Sequence, residues 1–94
     1  MKSIDLHGEY ASTARIIIQD FINECYNLKE ERALIVHGGG SGVLSKVTHE
    51  VLSKDKRVKD FGLDMFNGGA TYFVLDIKRV NEYNNSHNLI KGEK

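Results

Sequence analysis

Apolar and polar positions change period several times along the chain, and each change marks an element. Residues 3–7 alternate strictly: Ile4 and Leu6 fall on one side, and Ser3, Asp5 and His7 on the other, the two-residue period of a half-buried strand. Residues 11–28 switch to a helical repeat, with Ala14, Ile17, Ile18, Phe21, Ile22, Cys25 and Leu28 on one face. Ala33-Leu34-Ile35-Val36 is an unbroken apolar run, the pattern expected of a strand covered on both faces. A glycine-rich loop follows, and then Val43, Leu44, Val47, Val51 and Leu52 form a second helical face. Two further strands are predicted at 58–63 and 72–77, joined across Asn67-Gly68-Gly69, residue types that tolerate tight connections.

The order β-α-β-α-β-β predicts an α/β fold, a single compact two-layer sandwich. Its sheet is expected to be mixed, with two parallel strands and a C-terminal hairpin. The domain is expected over residues 1–78. Residues 79–94 read as a polar tail, in which Leu89 and Ile90 are the clear chances to dock.

Composition narrows the class. At 94 residues the chain supports one modest core. Its 13 basic and 13 acidic side chains cancel, so phosphate binding must come from a local feature and not from global charge. A single cysteine, Cys25, excludes an internal disulfide framework and fits a reducing cytoplasm; its place on the first helical face makes it a core residue. No apolar run has membrane-spanning length, so no membrane association is expected.

The candidate chemistry sits at two strand ends, Asp5-Leu6-His7-Gly8 and His37-Gly38-Gly39-Gly40-Ser41-Gly42. Parallel strands would deliver Asp5, His7 and His37 to one crevice, the usual ligand position in α/β sheets. A carboxylate two positions from an imidazole can orient it, leaving the other ring nitrogen for proton transfer, with His37 the second half of an acid–base pair. Gly38, Gly39, Gly40 and Gly42 bare the backbone before a helix whose first amides attract anions, and Ser41 can cap that helix or touch a phosphate. Lys46, in the first turn of that helix, joins the candidate contacts. The loop matches neither the P-loop nor the GxGxxG spacing. Lys54, Lys56, Arg57 and Lys59 form a basic connection that offers possible contacts to a nucleic-acid backbone. His49 has no partner in sequence and is expected at the solvent, and His87 falls in the tail. Asp5, His7 and His37 lack the spacing that supports a metal site, so no cofactor is expected.

These motifs, together with Gly68-Gly69-Ala70-Thr71 and the apolar strand after it, resemble the Smr (small MutS-related) domain family. The resemblance implies a fold similar to the C-terminal domain of a bacterial translation initiation factor. It further implies a nucleic-acid-binding domain with endonuclease activity on DNA or RNA, with the ribosome among possible partners. By position, Asp5 and His7 match the motif on which nuclease members depend, His37 and Gly38 match the second motif, and Gly68, Gly69 and Thr71 match the third. Where the family usually carries Lys or Arg after His-Gly, this chain has Gly39; where it has a Thr cap and a Glu at the first helix, this chain has Tyr10 and Thr13. Gly39 motivates an alternative, a catalytically silent module that binds nucleic acid or a ribosome-associated partner.

Overall fold

The computed structural model describes residues 1–77. The tail expected at 79–94, with His87, Leu89 and Ile90, lies outside the described residues. The elements are β1 (Lys2–Asp5), α1 (Ala11–Asn27), β2 (Arg32–Val36), α2 (Val43–Lys54), β3 (Val58–Leu63) and β4 (Ala70–Leu75). They build one four-stranded sheet in the order β1-β2-β4-β3. β1 and β2 are parallel, and β4 runs antiparallel to both β2 and β3. The predicted order, the parallel pair and the terminal hairpin are all present.

Both helices pack on one face of the sheet. Ile18, Phe21, Ile22 and Cys25 of α1 and Val47, Val51 and Leu52 of α2 share a core with Leu6, Ala33, Ile35, Phe73 and Leu75. Phe73 is fully buried and meets Phe21 edge to face, with ring centroids 5.8 Å apart. Burial of a side chain this size contributes about 2–3 kcal/mol. Cys25 lies in this core as a free thiol, and its burial pushes the thiol up to about 11.

Double coverage of β2 is not what forms. Ala33 and Ile35 are buried under the helices, while Leu34 and Val36 on the opposite face are only half-buried. The apolar run therefore reflects a two-layer fold whose second sheet face carries some apolar side chains, not a third layer among the described residues.

Two strand boundaries also differ from expectation, for local reasons. β1 stops at Asp5 because Leu6–Glu9 closes a turn, with the Glu9 N–H donating to the Leu6 carbonyl at 3.0 Å and Gly8 at φ +84°. β4 begins at Ala70, earlier than residue 72, because Ala70 already pairs with Val36 and its carbonyl accepts from the Asp64 N–H. α1 ends in a Schellman arrangement: Glu30 N–H reaches the Cys25 carbonyl at 2.8 Å, Lys29 N–H reaches Tyr26, and Lys29 takes φ +59°.

Candidate active site and nucleic-acid cleft

The end of β1 is shaped by its own carboxylate. Asp5 Oδ1 accepts the His7 backbone N–H at 2.9 Å, an Asx turn that starts the Leu6–Glu9 reversal. Ile4 and Leu6 point into the core, so Asp5 emerges on the other side; His7 lies in the turn just past the strand, and both are exposed. The expected bond from the His7 ring to Asp5 is not the one that forms: the carboxylate holds the histidine's main chain. Its reason is geometric, since the chain turns at Leu6 and no longer continues the pleat.

The end of β2 is organised from the neighbouring hairpin. Gly69 carbonyl accepts both the His37 and the Gly38 N–H, each at 2.8 Å. Gly38 has φ +79°, and a Cβ on Gly69 would lie 3.2 Å from Gly38 main-chain atoms, so a side chain at 69 would push the two segments apart. Asn67 Oδ1 accepts the Gly69 N–H at 2.9 Å and holds the hairpin turn in this approach. Gly42, at φ +88°, is the residue before α2 and supplies no side-chain cap. Ser41 Oγ lies 3.4 Å from Val43 N, a long contact, so the first-turn amides of α2 keep donor capacity.

Asp5, His7, Gly8, Val36, His37, the loop from Gly38 to Gly42, and the start of α2 line one open cleft of about 500 Å³. The sequence-predicted triad and loop are thus brought together. His37, however, is 6% exposed and both its ring nitrogens face protein atoms: Nδ1 lies 3.0 Å from the Gly38 carbonyl and Nε2 lies 2.7 Å from Thr71 Oγ1. Thr71, fully buried, also meets His49 Nε2 at 2.9 Å. His49 is therefore half-buried and partnered, contrary to the expectation of solvent exposure. Its ring packs 5.5 Å from the Phe61 ring and 6.3 Å from that of His37. Burial, and then the nearby His37, hold His49 below the ordinary histidine range.

Other candidates are placed differently. Gly68, Gly69 and Thr71 do not line the cleft; Gly69 and Thr71 hold His37 and Gly38, which do. Lys46 is exposed beside a second, shallower cleft of about 550 Å³ with Gly42, Ser45, His49 and Phe61, sharing Gly42 and Ser45 with the first. The basic connection sits beyond the far end of α2, about 18 Å from the glycine loop for a helix of 12 residues. There Arg57 is committed to Asp55, at 2.8 Å, to Asn23 and to the Tyr26 ring, and Lys59 stands 4.0 Å from Glu31. Residues 54–59, which run from the last residue of α2 through a tight turn into the start of β3, therefore lie remote from the cleft and not on its rim. Among the described residues no three His, Cys, Asp or Glu side chains converge as a metal group would need. Among them, too, no helix is long and apolar enough to cross a membrane.

His49 was hidden because its partner is remote in sequence, yet two signals mark the pair. Thr71 shares the inward parity of Phe73 and Leu75, and a polar residue at an inward position calls for a buried hydrogen-bond partner. Gly42, Ser45, His49 and Ser53 form a helical stripe beside the apolar one.

The Smr domain model matches residues 4–76, from within β1 to just past β4, and takes in the residues of the cleft. The chain belongs to the Smr domain family. It is 35% identical over 75 residues to the endonuclease MutS2 of Pelotomaculum thermopropionicum, and 36% identical over 75 residues to that of Finegoldia magna. Those alignments cover 79% and 77% of this chain but 10% of each relative, so the chain spans about a tenth of the length of the MutS2 proteins it matches. The fold matches the crystal structure of the Smr domain of Thermus thermophilus MutS2 with a TM-score of 0.76 and 29% identity, covering 80% of this chain and 98% of that one. YdaL, a stand-alone small MutS-related protein from Escherichia coli, has the same fold (TM-score 0.76, 20% identity, 81% of this chain and 64% of that one).

Proposed function

We propose that this Smr domain binds DNA or RNA at the glycine-loop cleft and cleaves phosphodiester bonds there. The observation that carries the reading is the convergence of exposed Asp5 and His7 with bare loop amides on one open cleft. Amides of Gly38–Gly42 and the first turn of α2 hold the phosphate. His7, whose main chain is fixed by Asp5, moves the proton of the attacking hydroxyl, which is water on DNA or the ribose 2′-OH on RNA. Solvent at the mouth protonates the leaving oxygen. With both nitrogens occupied, His37 anchors the loop and takes no part in proton transfer, a division of labour between the histidines that replaces the symmetrical acid–base pair. The MutS2 relatives bear the name endonuclease, which supports the assignment of activity.

Incubation of the purified chain with labelled supercoiled DNA and structured RNA, with Mg²⁺ or EDTA, tests this reading. Cleavage by the parent and none by Asp5→Ala/His7→Ala is expected; equal cleavage by both overturns it. A second reading, a silent nucleic-acid or ribosome-associated module, is favoured by Gly39, which puts no cation beside the loop. Salt-sensitive binding without cleavage of either substrate would select it.

A further inference from the structure

The Gly38 carbonyl can only accept, so the His37 Nδ1 that faces it at 3.0 Å carries a proton. A neutral His37 then presents a bare Nε2 to Thr71, whose hydroxyl must donate to it across 2.7 Å. That uses the one hydrogen of the threonine. Its oxygen is left as an acceptor, and the remaining neighbour, His49 Nε2 at 2.9 Å, must be a donor. One self-consistent chain satisfies every member: His49 Nε2–H to Thr71 Oγ1, Thr71 O–H to His37 Nε2, and His37 Nδ1–H to the Gly38 carbonyl. Any other neutral arrangement leaves a buried polar group without a partner, because Thr71 is fully buried and His37 nearly so.

We propose that His49 is a positioning residue of the cleft, acting through Thr71 on His37 and so on the Gly38 carbonyl, and that the two histidines carry opposite tautomers. His49 does not line the first cleft; its effect passes through a hydroxyl with a single orientation. The downward shift of His49 agrees, since a neutral ring has to select one nitrogen for its proton. The groups around that ring are His37, Thr71 and Phe61, with Lys46 and Glu50 along the second cleft. The effect on nucleic-acid binding rests on the function proposed above, whereas the proton placement does not.

Long-range ¹H–¹⁵N spectra of the full chain at about pH 8, where ordinary histidines are neutral, read both tautomers directly. The expected result is Nδ1–H on His37 and Nε2–H on His49. Neutral His49 as Nδ1–H, or as the free-histidine mixture, overturns the proposal. His49→Gln, whose amide N–H can replace the donor, is expected to keep the His37 ring shifts, the slow exchange of the His37 and Gly38 amides, and nucleic-acid affinity. His49→Phe keeps ring bulk against Phe61 but has no donor. It should shift the His37 signals, speed that exchange and weaken binding about tenfold, the equivalent of one lost hydrogen bond. A His49→Phe chain with unchanged His37 signals and loop exchange overturns the proposal, as does loss of both in His49→Gln with the fold intact. If no variant binds nucleic acid, the cleft function fails, while the ring signals still decide the tautomers.

Discussion

The ends of β1 and β2 carry the same His-Gly pair and use it in opposite ways. At β1, Leu6 takes the last inward position and the chain then turns, so His7 stands exposed with its main chain tied by Asp5. At β2, Ala33 and Ile35 take the inward positions, and His37 continues their parity into the protein, where Gly38 and Thr71 occupy both nitrogens. One residue of register separates a histidine free to meet a ligand from one built into the scaffold. Within a single cleft, the proposed chemistry falls to one strand end and the shape to the other.

His7→Ala should divide the two ends most sharply. Loss of a positioned acid–base group costs about 10²–10⁴ in rate, whereas an exposed side chain contributes within about 0.5 kcal/mol to stability. Single-turnover cleavage should collapse while the melting temperature stays at the parent value. Thr71→Val is the converse change. It strands the His37 Nε2 and deprives His49 of its acceptor, at a cost of about 2 kcal/mol. A melting point lower by about 10 °C in calorimetry is expected for a domain this size.

A smaller effect is expected at Gly39, whose added Cβ meets nothing within 4 Å and whose φ is not in the left-handed region. Gly39→Lys should therefore fold normally, tighten nucleic-acid binding several-fold and steepen its salt dependence by about one charge. Titration of bound nucleic acid with salt measures both. The least change comes from pH. His49 binds its proton less readily folded than unfolded, so stability is complete above the ordinary histidine value of about 6.5 and declines as pH falls through it. The decline ends below the depressed folded value, and His49→Gln should lack it in urea melts taken between about pH 8 and pH 5.

Strand and helix order was legible because each element has its own period, and the crevice because Asp5, His7 and the glycines are contiguous with strand ends. The difference between the histidines was legible at one end only. Ser3-Ile4-Asp5-Leu6-His7 displays its parity, while Ala33-Leu34-Ile35-Val36 is apolar at every position and conceals which side His37 joins. The Thr71–His49 bond could not be read from local spacing because it spans α2 and the hairpin, 22 residues apart. The position of the basic run at 54–59 was hidden for a related reason. Its charge is visible in sequence, but its distance from the cleft depends on α2 running away from the glycine loop.

The most direct test sets single-turnover cleavage beside thermal melting for His7→Ala and Thr71→Val, on whichever nucleic acid the parent chain cuts. His7→Ala is expected to melt with the parent but not to cleave, and Thr71→Val to melt well below it. Cleavage at the parent rate by His7→Ala, or parent-like melting by Thr71→Val, would contradict the division between a working histidine at β1 and an anchoring one at β2.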